Sequence, residues 1–319
     1  MINDDILTFL NLLNRQKGSL LGLAIGDALG CTLEFKKPGT FKPITTIIGG
    51  GVHKLKAGQW TDDTSLALCL AQSLIDCKGF DAKDQMQKYC KWDEEGYMSS
   101  TGKCFDIGNA TLKALDKFRA TGEPYSGMTE ESSAGNGSIM RLAPIPIYFS
   151  QNPKKALKYA ALSSKTTHAN EMCMDACRYM TGIMLGLLSG ENKKTVLSHE
   201  YSPINNYFIN NPLCEAIREV ANGSFKHKQP PQIKGSGYVV ESLEAALWAF
   251  EHSDSFEQGT LMAVNLGDDA DTTGAIYGQL AGAYYGETGI PAHWRQQLAF
   301  KPQMETMADQ LYHLAWSEQ

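Results

Sequence analysis

The sequence predicts an all-α protein, because helical periodicity recurs along the chain and strand patterns are rare. In DDTSLALCLAQSLIDC, residues 62–77, leucines recur every four residues from Leu66 to Leu74, which places them on one helix face. The same apolar pattern returns in three later segments: 168–190, 240–253 and 307–318. The best strand candidate is FKPITTIIGGG, residues 41–51, which is short and ends in three glycines. We therefore expect helices packed on helices, without a sheet.

The first predicted helix contains a glycine at every fourth position, at Gly22, Gly26 and Gly30 in GLAIGDALG. Each glycine destabilises a helix by about 1 kcal/mol relative to alanine. A row of glycines on one face lets another helix approach closely, which is a reason for a sequence to keep them. No strand precedes this segment, so it is not a dinucleotide-binding fingerprint.

Composition and charge exclude several classes of protein. The 319 residues are 43% hydrophobic and 20% charged, with a net charge of −6, and no basic stripe is present to neutralise phosphates. No apolar run reaches the roughly 18 residues that a membrane helix needs. Asp4 and Asp5 stand where a signal peptide would carry basic residues. We expect a cytoplasmic protein that binds neither nucleic acid nor membrane, with eight buried, reduced cysteines.

The chain is expected to form a single domain over residues 18–319, preceded by residues 1–17 as an extension or as the start of the first helix. The most loop-like segment is 222–238, which contains Pro230-Pro231 and three glycines. This segment could mark a domain junction. We favour a long loop within one domain, because two similar acidic motifs from opposite ends of the chain would have to meet for the chemistry described next.

Two acidic motifs each precede an apolar helical segment. The first is WTDDT and the second is DDADTT, and together they contribute these residues: Thr61, Asp62, Asp63, Asp269, Asp271 and Thr272. Helix capping alone would explain either motif, since Asp and Thr accept hydrogen bonds from the first N–H groups of a helix. Paired carboxylates at a buried helix end also repel each other, which a hard divalent cation would relieve. Two such ends facing each other would form a two-metal site.

Seven segments, taken in order, make the chain resemble the ADP-ribosylglycohydrolases, which include the dinitrogenase reductase-activating glycohydrolase and the hydrolases of ADP-ribosyl-arginine and ADP-ribosyl-serine. The resemblance extends from about Gly18 to Gly286. The segments are GSLLGLAIGDALGCTLEF, GQWTDDTSLAL, DIGNAT, GNGSIMRLAPIPIYF, SSKTTHAN, GSGYVVESLEAALWAF and GDDADTTGAIYGQLAGAYYG.

The resemblance implies an orthogonally packed, all-α helical bundle with a binuclear centre of two Mg²⁺ or Mn²⁺ ions. It assigns the six residues of the acidic motifs as metal ligands, whereas Asp268 falls on a variable position and should tolerate change. It makes Glu34, in CTLEF, and Asp106, in DIGNAT, the candidate catalytic acid and base. From the residues alone, Glu34 could equally be a solvated loop acid and Asp106 a helix cap.

The resemblance also implies a set of substrate-binding residues: Asn109, Gly135, Asn136, Gly137, Ser138, His168 and Tyr238. The glycine-rich loop around Asn136 could cradle a diphosphate with its backbone N–H groups, or it could be a tight turn. His168 and Tyr238 could contact the ligand or could be structural. Arg141, directly after this loop, could bind phosphate or form a structural ion pair.

The implied activity is hydrolysis of the N-glycosidic bond between ADP-ribose and an arginine side chain. The partner would be an ADP-ribosylated protein, with a cognate ADP-ribosyltransferase or its target as a further candidate. Alternatives are a hydrolase of serine-linked ADP-ribose or of small ADP-ribosyl esters, a non-catalytic ADP-ribose-binding relative, and a metal-dependent phosphohydrolase that would release AMP.

Overall fold

The computed structural model describes residues 4–317 of the protein, with side chains for residues 10–316. This part of the chain contains fifteen α-helices: α1 Asp4–Gly30, α2 Asp62–Cys77, α3 Ala82–Glu95, α4 Asn109–Thr121, α5 Pro144–Tyr148, α6 Pro153–Lys165, α7 Glu171–Leu188, α8 Lys193–Val196, α9 Tyr207–Asn210, α10 Glu215–Ala221, α11 Val239–Glu251, α12 Phe256–Val264, α13 Ala270–Tyr285, α14 Ala292–Gln297 and α15 Lys301–Ser317. Short 3₁₀ turns cover Glu131–Ser133, Ser224–Lys226 and Glu287–Gly289. The all-α prediction is confirmed.

The strand candidate at 41–51 is a loop. Its last glycines, Gly49, Gly50 and Gly51, have φ values of 69°, 86° and 67°, which an extended strand does not allow. A single isolated bridge joins Gly50 to Leu55. Within the described residues, pairing between extended segments is limited to bridges of this kind.

The core is built on a close antiparallel contact between α1 and α13. A Cβ atom placed on Gly22 would lie 2.2 Å from the carbonyl oxygen of Gly278, and one placed on Gly26 would lie 2.0 Å from that of Gly274. A Cβ atom on Gly18 would likewise lie 2.4 Å from the carbonyl oxygen of Gly282. Both helices therefore carry glycines at four-residue spacing, and the close approach predicted for the first helix is confirmed.

This contact brings three helix ends to one place. The last turn of α1 meets the first turn of α13, where a Cβ atom on Gly30 would lie 2.3 Å from the carbonyl oxygen of Ala270. The N-terminus of α2 joins them through hydrogen bonds to Asp27, a residue of α1. The starts of α2 and α13, which carry the acidic motifs, are thus held side by side.

The remaining predictions concern the termini, loops and cysteines. Of the N-terminal segment, residues 4–17 belong to α1 and residues 1–3 lie outside the described residues. The 222–238 segment is largely loop, and its end reaches the acidic motif, because Asp269 N–H donates to Gly235 O at 2.8 Å. All eight cysteines are free, but only five are buried: Cys77 is exposed, and Cys104 and Cys214 are partly buried. Along the described chain, no helix combines the length and apolar character needed to cross a membrane.

Candidate active site

The two acidic motifs meet at Thr61. Its hydroxyl oxygen lies 3.2 Å from Asp63 Oδ2 and 3.3 Å from Asp271 Oδ2. The hydroxyl of Thr272 lies 3.5 Å from the same Asp63 oxygen. The N-termini of α2 and α13 therefore face each other with their carboxylate and hydroxyl oxygens in between.

Capping explains only a small part of these motifs. Asp271 Oδ1 accepts from the Thr272 N–H at 2.9 Å, but neither N-cap residue, Thr61 or Asp269, forms a side-chain cap on its own helix. The start of α2 is capped instead from α1 by Asp27. The Asp27 carboxylate accepts hydrogen bonds from Thr61 N at 2.9 Å, from Thr64 N at 3.1 Å and from the Thr64 hydroxyl at 2.6 Å. The carboxylates of Asp62 and Asp63 are consequently free for another role.

These carboxylates are buried without a cationic partner. The exposed fractions of Asp62, Asp63 and Asp271 are 6%, 1% and 1%, and none of them forms an ion pair with a lysine or arginine of the described chain. Burial, followed by repulsion from neighbouring carboxylates, raises the pKa of each well above its usual value. Asp269 is only partly buried, and Asn136 Nδ2 donates to its Oδ2 at 2.7 Å.

The arrangement fits a divalent metal site. Asp63 Oδ1 is buried and has no hydrogen-bond partner among the described residues. Carboxylate and hydroxyl oxygens are the ligands that Mg²⁺ and Mn²⁺ prefer. A bound cation would offset the repulsion that burial imposes on these groups.

Glu34 and Asp106 form a second acidic group, with His53 between them. His53 Nε2 lies 3.3 Å from Glu34 Oε2 and 3.2 Å from Asp106 Oδ1, and the three residues bring one potential ligand atom each within 4.8 Å of one another. Burial, and then the Asp106 charge, raises the pKa of Glu34 to about 9. Burial also raises the pKa of Asp106, although His53 opposes that shift.

The backbone of Asp106 is in the left-handed region, with a φ of 62°. Aspartate enters this region more readily than most residues, but the conformation is uncommon outside glycine. Asp106 therefore turns the chain just before α4 begins at Asn109. The predicted cap of α4 is not formed by Asp106, because the N-cap position is Gly108.

A cavity of about 590 Å³ connects these groups. Most of the predicted site residues line it: Glu34, Asp62, Asp106, Asn109, Gly135, Asn136, Gly137, His168, Asp269, Asp271 and Thr272. Thr61 and Asp63 lie beneath this surface and contact the lining residue Asp271 or Thr272. The acidic residues and the glycine-rich loop thus share one cavity.

Two predicted substrate-binding residues are absent from the described lining. Ser138 is 3% exposed, and its hydroxyl oxygen lies 2.8 Å from that of Ser164. Tyr238 is 40% exposed, and its hydroxyl lies 3.1 Å from Met172 Sδ. The Tyr238 backbone nevertheless pairs with Gly135, so both residues support the loop from outside the cavity.

Some backbone N–H groups of the glycine-rich loop already donate hydrogen bonds within the protein. Gly135 N–H donates to Ser133 O at 2.8 Å, and Asn136 N–H donates to Gly237 O at 3.1 Å. His168 lies against the loop, because a Cβ atom on Gly137 would come within 2.8 Å of its Cε1. Burial, and then the charge of Arg141, lowers the pKa of His168 to about 3, so its imidazole is neutral at physiological pH.

Residues 9–319 match the sequence profile of the family described as ADP-ribosylglycohydrolase. The chain belongs to this family. It is 38% identical to "ADP-ribosylarginine hydrolase Tri1" of Serratia proteamaculans, over 96% of this chain and 81% of that protein. It is 31% identical to the "ADP-ribosyl-[dinitrogen reductase] glycohydrolase" of Rhodospirillum rubrum, over 92% of both chains. A solved structure, "ADP-ribosylglycohydrolase-related protein complex", matches with a TM-score of 0.83 and 41% identity, over 96% of this chain and 99% of that chain.

Two residues of this ADP-ribosylglycohydrolase site escaped the sequence analysis. Asp27 lies in the glycine-rich segment of the first helix, where an acid among apolar helix residues is a sequence signal for a buried polar role. His53 lies in a loop between two predicted elements, where nothing in the sequence indicates a contact with Glu34 or Asp106. Both residues act on site residues through contacts that only the folded chain creates.

Proposed function

We propose that this protein removes ADP-ribose from ADP-ribosylated arginine side chains by hydrolysing the N-glycosidic bond. The family membership and the name of the relative at 38% identity, an ADP-ribosylarginine hydrolase, support this activity. The observation that carries the proposal is the meeting of Thr61 with Asp271 beside a cavity of about 590 Å³. That cavity is lined both by oxygen-rich residues of the acidic motifs and by a glycine-rich loop.

Two Mg²⁺ or Mn²⁺ ions are the proposed cofactors. Their ligands would come from the six residues of the acidic motifs: Thr61, Asp62, Asp63, Asp269, Asp271 and Thr272. When bound, such ions supply Lewis acidity and electrostatic stabilisation to oxygen ligands such as ribose hydroxyls. Asp27 holds the backbone and hydroxyl of Thr61 in place, so that the ligand oxygens are ordered before a cation arrives.

Glu34 and Asp106 are the proposed groups for proton transfer to the leaving guanidine and for activation of water. Both line the same cavity as Asp62, Asp269 and Asp271. His53 Nε2 lies within 3.3 Å of a carboxylate oxygen of each acid. These contacts give the two acids defined positions from which to exchange a proton with a bound substrate.

The ADP part of the substrate is proposed to lie along the glycine-rich loop of the same cavity. Asn109, the Gly135–Gly137 loop and His168 line this region, while Ser138 and Tyr238 support the loop. Holding the diphosphate and nucleoside here would orient the distal ribose toward the acidic residues. Such positioning lowers the entropic part of the barrier.

The test is a comparison of substrates and products. The protein is incubated in Mg²⁺ or Mn²⁺ with arginine-ADP-ribosylated protein, serine-ADP-ribosylated protein and O-acetyl-ADP-ribose, and free ADP-ribose and AMP are measured. We expect ADP-ribose from the arginine-modified protein at the highest rate. Release only from the serine or ester substrate would show that the protein acts on that linkage instead of the arginine linkage. Release of AMP would indicate a phosphohydrolase. Binding of ADP-ribose without release from any substrate would indicate a non-catalytic relative.

A further inference from the structure

Arg141 is a fully buried cation with an unusual set of contacts. It has no exposed surface, and it forms no ion pair with a carboxylate of the described chain. Its guanidinium lies over the Tyr89 ring, 4.6 Å from the ring centre. Nη2 donates to the Thr167 hydroxyl at 2.6 Å, whereas Nε and Nη1 have no partner among the described residues. Arg141 is thus neither an ion-paired arginine nor a residue of the cavity wall.

The hydroxyl of Thr167 links this cation to His168. Its oxygen lies 2.6 Å from Arg141 Nη2 and 2.8 Å from His168 Nδ1. A guanidinium can only donate, so the Thr167 oxygen accepts from Arg141. Thr167 is itself fully buried, and Nδ1 is the one acceptor that the described residues offer to its hydroxyl hydrogen. If Nδ1 carried a hydrogen, that hydroxyl hydrogen would be buried without an acceptor, which is unfavourable.

His168 is held rigidly and presents its other nitrogen to the cavity. The backbone N–H of His168 donates to Ser164 O at 2.7 Å, and its backbone carbonyl accepts from the Ser164 hydroxyl at 2.8 Å. A Cβ atom on Gly137 would lie 3.0 Å from His168 Nε2, and one on Gly135 would lie 3.5 Å away. The missing side chains of these two glycines leave the Nε2 edge of the ring accessible from the cavity that His168 lines.

We propose that Arg141 is a positioning residue that acts through Thr167 to hold His168 as the neutral tautomer with its hydrogen on Nε2. His168 then presents a fixed donor to an anionic oxygen in the cavity. Under the proposed function, on which this last step rests, that oxygen belongs to the diphosphate of ADP-ribose. The low pKa of His168 agrees with this arrangement, because burial, and then the neighbouring guanidinium, disfavours a positive charge on the imidazole. The position of the hydrogen on His168 Nε2 is therefore determined by Arg141, a buried cation that does not contact the substrate.

The tautomer can be measured directly. In the full-length protein labelled with ¹⁵N-histidine, two-bond ¹H–¹⁵N correlation spectra distinguish the protonated from the unprotonated ring nitrogen, and His168→Asn identifies the signals of His168. At neutral pH and without ligand, we expect a protonated Nε2 and an unprotonated Nδ1. A protonated Nδ1 in the unmodified protein would overturn the proposal.

Two variants of Thr167 test the link to Arg141. Thr167→Val keeps the shape but removes the hydroxyl, whereas Thr167→Ser keeps the hydroxyl and serves as the matched control. We expect Thr167→Val to give a mixture of tautomers and to bind ADP-ribose roughly tenfold more weakly by calorimetry, while Thr167→Ser stays within about twofold of the unmodified protein. Arg141→Met should shift the tautomer equilibrium in the same direction. If Arg141→Met does not fold, the comparison of Thr167→Val with Thr167→Ser is sufficient to test the proposal.

An unchanged tautomer and unchanged affinity in Thr167→Val would overturn the inference. The spectra need no substrate, so they separate this inference from the proposed function. If the Nε2–H tautomer and its dependence on Thr167 are found but no ADP-ribose is released from any substrate, the proposed function fails while the link from Arg141 to His168 stands.

Discussion

Asp27 and Thr61 are joined by two hydrogen bonds, because Asp27 Oδ1 accepts from both the backbone N–H and the hydroxyl of Thr61, each at 2.9 Å. The Thr61 hydroxyl has a single hydrogen, and Asp27 lies closer to it than Asp63 or Asp271 does. With that hydrogen directed at Asp27, the lone pairs of Thr61 face the other two carboxylates. Oxygens crowded in this way call for a cation.

The variant Asp27→Asn should bind Mg²⁺ or Mn²⁺ about 10- to 100-fold more weakly, which is the usual effect of losing a group that orients metal ligands. The amide keeps the size of the side chain but replaces one accepting oxygen with a donor, so it cannot satisfy both Thr61 and Thr64. Calorimetric titration of the chelator-stripped protein measures this effect. Equal metal affinity in a variant with an unchanged circular dichroism spectrum would show that Asp27 does not order the ligands.

The glycine contact between α1 and α13 predicts a difference between two alanine variants. Gly26→Ala should lower the free energy of unfolding by about 1–3 kcal/mol, because its Cβ would lie 2.0 Å from the Gly274 carbonyl oxygen and overpack the interface. Gly182→Ala in α7 is the control, since the nearest atom to its Cβ would be 3.6 Å away. Urea denaturation should show the control unchanged or stabilised by up to about 1 kcal/mol. Equal effects would contradict the close contact.

His53 should matter for catalysis more than for binding. His53→Gln removes an imidazole that lies 3.3 Å from Glu34 and 3.2 Å from Asp106, and we expect kcat to fall roughly tenfold or more with little change in ADP-ribose affinity. The exposed His227 offers a matched control, His227→Gln. Steady-state kinetics and calorimetry separate the two effects. If kcat of His53→Gln equals that of the control, His53 does not contribute to catalysis.

His168 should make the stability of the protein depend on pH. Its pKa is lowered from 6.5 to about 3. Below pH 6.5, His168 is therefore protonated in the unfolded chain but stays neutral in the folded protein. The free energy of unfolding consequently falls as the pH falls. Between pH 7 and pH 5 this loss is about 2 kcal/mol. The variant His168→Asn has no such titrating group. The difference in free energy of unfolding between the unmodified protein and this variant should therefore be smaller at pH 5 than at pH 7 by that amount.

Urea denaturation of both proteins at the two pH values, in the presence of chelator, measures the difference. The carboxylates of the acidic motifs are the same in both proteins, so their titration cancels. A pH-independent difference between the two proteins would mean that folded His168 takes up a proton as readily as the unfolded chain.

The sequence predicted more of the candidate metal ligands than of the residues that organise them. Thr61 and Asp271 could be predicted because each lies in a short acidic motif before an apolar helix. Gly22 and Gly26 predicted a close helix contact, but their partners on α13 depend on the antiparallel register of two helices distant in the chain. Asp27, His53 and the link from Arg141 act through tertiary contacts, which local spacing does not encode. For Arg141, the structural ion pair that its position suggested is not formed within the described chain, and its side chain is absent from the cavity lining.

The measurement that tests the central claim most directly is the release of ADP-ribose from an arginine-ADP-ribosylated protein, with and without chelator. The unmodified protein is compared with Asp62→Asn and Asp271→Asn, and Asp76→Asn serves as the control because its side chain lies on the same helix as Asp62 and is 48% exposed. We predict that chelator abolishes release, that Mg²⁺ or Mn²⁺ restores it in the unmodified protein and the control, and that the two site variants stay inactive. Release that continues in chelator, or in Asp62→Asn and Asp271→Asn, would contradict the account.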